Sequence, residues 1–150
     1  MALGNKQIGW SQESNLLWQL GKLLERLIKV TAAFSPSSSL AFKLISTSGV
    51  NPTLVKDSAG IITNIVAISL AEEVKYLKLY NVPTNPEVGT DTPIMTIPIP
   101  TNTLGAGFVI PISNGVNFSQ GISFAITGGI ADSDTTAILA DEVVVNLTYI

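Results

Sequence analysis

The chain has 150 residues with no Cys and no His. That composition removes disulfides, thiolate and imidazole ligands, Cys nucleophiles and His general bases, and with them most familiar hydrolase and metal chemistry. Charged residues make up 13% of the chain, about half the usual share, and the mean hydropathy is +0.42, a balance expected of a protein that buries surface against partners.

No run of about 18 apolar residues is present, so no membrane span or membrane partner is expected. The charges are unevenly placed. Residues 1–34 hold Lys6, Lys22, Arg26 and Lys29 against Glu13 and Glu25, a net of +2, whereas residues 35–150 hold four Lys against nine acids, a net of −5. An acidic body argues against nucleic-acid binding, because phosphate contacts need Lys and Arg. The N-terminus does not read as a signal peptide, since Lys22, Glu25, Arg26 and Lys29 interrupt its apolar run.

Residues 1–13 are expected to be extended unless bound, and they carry Trp10. Ser11, Ser14 or Asn15 can cap the helix that follows, predicted over about residues 14–30. Leu16, Leu20, Leu23, Leu27 and Val30 recur at spacings of 4, 3, 4 and 3, which is a coiled-coil seam. With Leu20 and Leu27 at heptad position a, Leu16, Leu23 and Val30 occupy d, and Leu17 and Leu24 widen the stripe at e. Glu25 and Lys29 are placed for an i,i+4 pair, and Gly21 sits off the seam at b. The seam is short for a free-standing coil, and an isolated helix of this length is marginal in water, so it must pack on something. Its partner is either other copies of the chain or its own β domain. Trp18 and Ile28 lie outside the stripe, and with Trp10 they are the expected anchors to a further partner.

Residues 31–39, TAAFSPSSS, stop the helix at Pro36, and 35–39 read as a linker between an N-terminal anchoring and oligomerisation segment (1–34) and a β domain (40–150). Beyond Leu40 the apolar period changes to 2. Strands are expected at Leu40 to Ser46, Thr53 to Lys56, Ile61 to Ser69, Lys75 to Tyr80, Ile94 to Ile99, Gly107 to Ile112, Ile122 to Thr127 and Val143 to Tyr149. Within VKYLKLY, Val74, Tyr76 or Leu77, and Leu79 trade places with Lys75 and Lys78. Turns are expected at Asp57 to Gly60, Pro83 to Pro86, Asn102 to Gly105, Asn114-Gly115 and Gly128-Gly129. Pro93, Pro98 and Pro100 demote their segment to an edge strand. About eight short strands with frequent turns indicate a mainly β fold, a β-sandwich or jelly-roll-like domain behind an N-terminal α-helix.

Few side chains suggest chemistry. Asp132 and Asp134 alternate in GGIADSDTT, as Ca²⁺ ligands do, but the Gly and Glu of an EF-hand loop are missing, and a polar loop stapled by its own Asp side chains explains the pattern as well. Glu72 with Glu73, and Glu87 with Asp91, read as solvated turns rather than a carboxylate pair across a cleft. Lys56 and Ser58 are near in sequence, which alone does not make a Ser–Lys nucleophile. Tyr76, Tyr80 and Tyr149 can form a carbohydrate-stacking face or belong to the core and sheet surface.

The stretches YLKLYN (Tyr76 to Asn81), GTDTPIMTIPIP (Gly89 to Pro100), GISFAIT (Gly121 to Thr127) and VVVNLTYI (Val143 to Ile150) resemble small virion structural proteins of tailed bacteriophages, over about residues 50–150. GWSQESNLLWQLGKLLERL resembles the anchoring helix that some of these proteins carry. The resemblance implies a non-enzymatic particle component, a head decoration or head-fibre protein assembled in the host cytoplasm. Its expected partners are copies of itself, in a homotrimer by analogy with phage fibres, and a major capsid or appendage protein. No catalytic residue and no cofactor is implied. The competing reading is a host-surface or carbohydrate-binding module of a phage fibre or tail appendage, which uses the β loops for recognition.

Overall fold

The computed structural model describes residues 12–33, 38–104 and 107–150, with side chains described for 15–26, 38–103 and 107–150. The chain divides into two compact units, Met1–Ser37 and Ser38–Ile150.

In the first unit, α1 spans Gln12–Ala33. It is longer than the spacing of its leucines suggests, because Thr31, Ala32 and Ala33 continue it. Ala is the best helix former, and nothing in these residues breaks the backbone hydrogen bonding. One consequence is that the last turn carries no basic residue, so the charges of Lys22 and Arg26 do not sit at the negative end of the helix dipole.

The second unit is mainly β. Its strands are β1 (Leu40–Ile45), β2 (Thr53–Lys56), β3 (Gly60–Ser69), β4 (Lys75–Tyr80), β5 (Met95–Ile99), β6 (Gly107–Phe118), β7 (Ile122–Thr127) and β8 (Val143–Tyr149), with a single 3₁₀ turn at Asn102–Leu104. They form two four-stranded sheets, β1-β8-β3-β6 and β2-β7-β4-β5. All pairings are antiparallel. The pairs β1·β8, β2·β7, β3·β6 and β4·β5 are nested, as in one long hairpin rolled up so that β8 also meets β3 and β7 also meets β4. That is a jelly roll.

The period of 2 in the sequence explains the core. Ile62, Ile65 and Ala67 of β3 and Val143, Val145 and Leu147 of β8 face inward from one sheet. Leu77 and Leu79 of β4 and Ile122, Phe124 and Ile126 of β7 face inward from the other. Each such aliphatic or aromatic side chain stabilises the fold by about 1.5–3 kcal/mol through burial. Phe42 of β1 meets Phe124 edge to face, with centroids 6.0 Å apart and planes at 82°, a favoured aromatic geometry that joins the two sheets.

Three local features depart from expectation. Asn114-Gly115 is not a turn. It lies inside β6, where Gly115 adopts φ 70 and the β3–β6 ladder shifts register between Ile62 and Asn64. The glycine accommodates a bulge that lets a twelve-residue strand bend without ending. The second departure is in β4, where the lysines are not in water: Lys78 is fully buried and Lys75 nearly so. The third is Pro98, which stands as expected in an edge strand, β5, although that strand begins at Met95 rather than Ile94.

Candidate functional site

Two places in the molecule ask for a functional reading. The first is the surface of α1. Leu16, Leu17, Leu20, Leu23 and Leu24 are between 56% and 68% exposed. They are the described part of the a/d/e stripe, which is a continuous apolar face at helical spacing. Trp18, also exposed, lies off the stripe, and the Lys22 ammonium stands 5.7 Å from its ring centroid, one turn on. This i,i+4 cation–π contact gives the indole a local partner that the sequence reading did not foresee. Lys22 also pairs with Glu25 at 3.7 Å. The side chains of Leu27, Ile28, Lys29 and Val30, and the whole of Trp10, lie outside the described residues.

The second is the outer face of β4. Leu77 and Leu79 point into the core, so Tyr76, Lys78 and Tyr80 point the other way. The β7–β8 connection lies across that side. The Lys78 ammonium donates to the backbone carbonyls of Ala131, Asp132 and Asp134. Burial pushes the Lys78 pKa down, against the opposing pull of Asp134 and Asp132. The Asp134 carboxylate is occupied within its own loop. It accepts from Gly129 N–H at 2.9 Å, from Thr136 N–H at 3.0 Å and from the Thr136 hydroxyl at 2.9 Å. Burial works against its ionisation, but the hydrogen bonds from Thr136 and Gly129 and the Lys78 charge outweigh it and hold its pKa below the ordinary carboxylate value.

This geometry answers the Ca²⁺ question raised by Asp132 and Asp134. Three loop carbonyls converge on a cation, and that cation is the protein's own ammonium. Among the described residues no cluster of three acids is placed to hold a metal ion. Next along β4, the buried Tyr80 hydroxyl has no hydrogen-bond partner among the described residues. Burial first, then the Asp91 and Asp132 charges, push its pKa up to about 12.

The tyrosines do not form one stacking face. Tyr76 and Tyr80 belong to β4 and Tyr149 to β8 in the other sheet, and Tyr80 is fully buried. The other acids are structural or solvated. Glu72 and Glu73 are exposed at the β3–β4 bend. Asp91 accepts from Glu87 N–H at 2.8 Å and staples the β4–β5 loop. A cleft of about 430 Å³ between Leu70 and Leu139 contains Lys75 and Glu142, which pair with each other at 3.5 Å. Lys56 and Ser58 flank the β2–β3 turn, with Ser58 exposed.

Comparison with protein-family models, with curated proteins and with solved structures finds no match to this chain. Among the described residues no helix is long and apolar enough to cross a membrane.

Proposed function

We propose that the protein is a non-enzymatic structural component of a bacteriophage particle, a capsid decoration or head-fibre protein whose copies are joined through α1. The observation that carries this reading is the α1 surface. Five leucines at coiled-coil spacing stand open to solvent on a single helix, and a helix of this kind gains its stability by packing against others. Leu at both a and d leaves the number of strands open, and the added leucines at e favour a bundle wider than two helices. Three copies is the number that the resemblance to phage fibre proteins implies. Trp18 and the basic residues beside it remain outside the stripe for a second partner, such as a capsid or appendage protein. A jelly-roll domain is compatible with this role and with many others, so the fold itself carries little of the argument.

Size-exclusion chromatography with light scattering tests the reading. The full chain is expected to run as a stable oligomer, and Leu20→Asp with Leu23→Asp to run as a monomer whose β-sheet circular dichroism is unchanged. A monomeric full chain sinks the proposal. Association with a particle is checked by co-sedimentation with phage in a density gradient, where the double variant is expected to stay at the top.

A further inference from the structure

The two sheets are covered differently. The outer side of β4 and β7 is sealed, since Lys78, Tyr80, Ser123 and Thr127 are fully buried beneath a loop that carries Asp132 and Asp134. The outer side of β1-β8-β3-β6 has no such cover. Ile45, Val144 and Ile68 form one cross-strand row there, and Val66 and Val109 lie in the next row beside Lys43. Ile68 is 42% exposed, Ile45 46% and Val109 66%. An open apolar sheet face of this kind marks an interaction surface.

Charge selects its partner. The nine acids of residues 35–150 all lie in connections, and the four strands of this sheet contain none of them, with Lys43 as their sole charge. In a cyclic oligomer the surface turned toward the axis meets copies of itself, so any acid there is brought against the same acid. A domain of net −5 can meet itself without that cost across this face. Pairing by strand edges is discouraged, because β5 carries Pro98, β6 carries Pro111, β1 carries Lys43 and β2 has only four residues.

We propose that this face packs against the same face of other copies of the chain around the axis of the oligomer, a step that rests on the helix-joined assembly argued above. Four strands about 4.8 Å apart and about six residues at about 3.3 Å give a face of roughly 400 Å² in projection, below the roughly 800 Å² per partner of a standard interface. The face alone therefore holds copies together weakly. Joining the chains through α1 raises the local concentration to the millimolar range, where a weak contact is occupied.

The absence of native Cys makes the test clean. Ile68→Cys, in a central strand of the face, is compared with Ser133→Cys, in the exposed loop over the other sheet, each in the full chain and in the Leu20→Asp, Leu23→Asp background. After treatment with a short bismaleimide, Ile68→Cys is expected to give covalently linked chains at least tenfold more than Ser133→Cys in the full chain. That excess is expected to disappear at micromolar concentration in the helix-disrupted background. An oligomeric full chain in which Ile68→Cys links no better than Ser133→Cys overturns this inference and leaves the helix-joined assembly standing. A monomeric full chain in which Ile68→Cys still links preferentially does the reverse, and a monomer with no preferential linkage overturns both.

Discussion

Lys78 and Asp134 meet through the backbone rather than through their charges: the ammonium donates to the Asp134 carbonyl oxygen at 3.3 Å, while the carboxylate turns away to Gly129 and Thr136. The loop is thus shaped by Asp134 and then held to β4 by Lys78. Each group removes a cost that the other would otherwise impose, since a buried ammonium and buried carbonyls both need partners.

Replacing Asp134 by Ala takes three hydrogen bonds from the loop. The expected loss is about 1–3 kcal/mol in urea unfolding at neutral pH. The sign of its pH dependence follows from the depressed pKa. The carboxylate's contribution is complete above the ordinary value of 3.8 and is lost as pH falls through the folded value. The variant should therefore lose less stability than the wild type between neutral pH and acid, and a parallel pair of acid profiles would contradict this.

Tyr80 behaves in the opposite range. Its pKa of about 12 in the folded protein stands above the ordinary 10.0. Stability from keeping it protonated is present below pH 10 and disappears as pH rises through 12, a change on the order of 2 kcal/mol. Lys78, with its lowered pKa, acts in the other sense below 10.5, so the wild-type profile alone mixes the two. The difference between wild type and Tyr80→Phe isolates the tyrosine. We expect the variant to be as stable as wild type or slightly more so at pH 7, because the hydroxyl lacks a partner, and to lose less stability in alkali.

Gly115 marks the bulge in β6 with φ 70, and a Cβ there would collide with the Ile61 side chain. Gly115→Ala is expected to cost about 1–3 kcal/mol from backbone strain and the clash together. A thermal midpoint equal to that of wild type would show that the bulge tolerates a side chain.

Glu142 accepts from Leu139 N–H at 2.9 Å and pairs with Lys75 at 3.5 Å. Both side chains of the pair are only 11% exposed. Glu142→Ala leaves Lys75 with Glu73, a distant and mostly exposed partner at 3.9 Å. The expected cost is about 3 kcal/mol, the lower end of the range for breaking a buried pair. Lys75→Met with Glu142→Leu, which removes both charges, should recover most of it, as read by denaturant midpoint.

The strands were legible because each alternates on a half-buried surface. Thr53–Lys56, Lys75–Tyr80, Ile122–Thr127 and Val143–Tyr149 fall where periodicity and turn residues put them, and Pro98 marks an edge strand by lacking an N–H. The helical leucines were equally plain, since the spacing of Leu16, Leu20 and Leu23 is a local property of one element. What lay beyond reach depends on residues far apart in the chain. The burial of Lys78 needs Ala131 and Asp134, more than fifty residues on, and in local sequence it reads as an ordinary outward lysine. Asn114-Gly115 has the composition of a turn, and only the pairing of β6 with β3 makes it a bulge inside a strand. The sequence by itself determined which elements form, because periodicity and turn chemistry act over a few residues. The tertiary structure alone decided which face of each sheet is sealed and which is open, because cover comes from loops that return from distant parts of the chain.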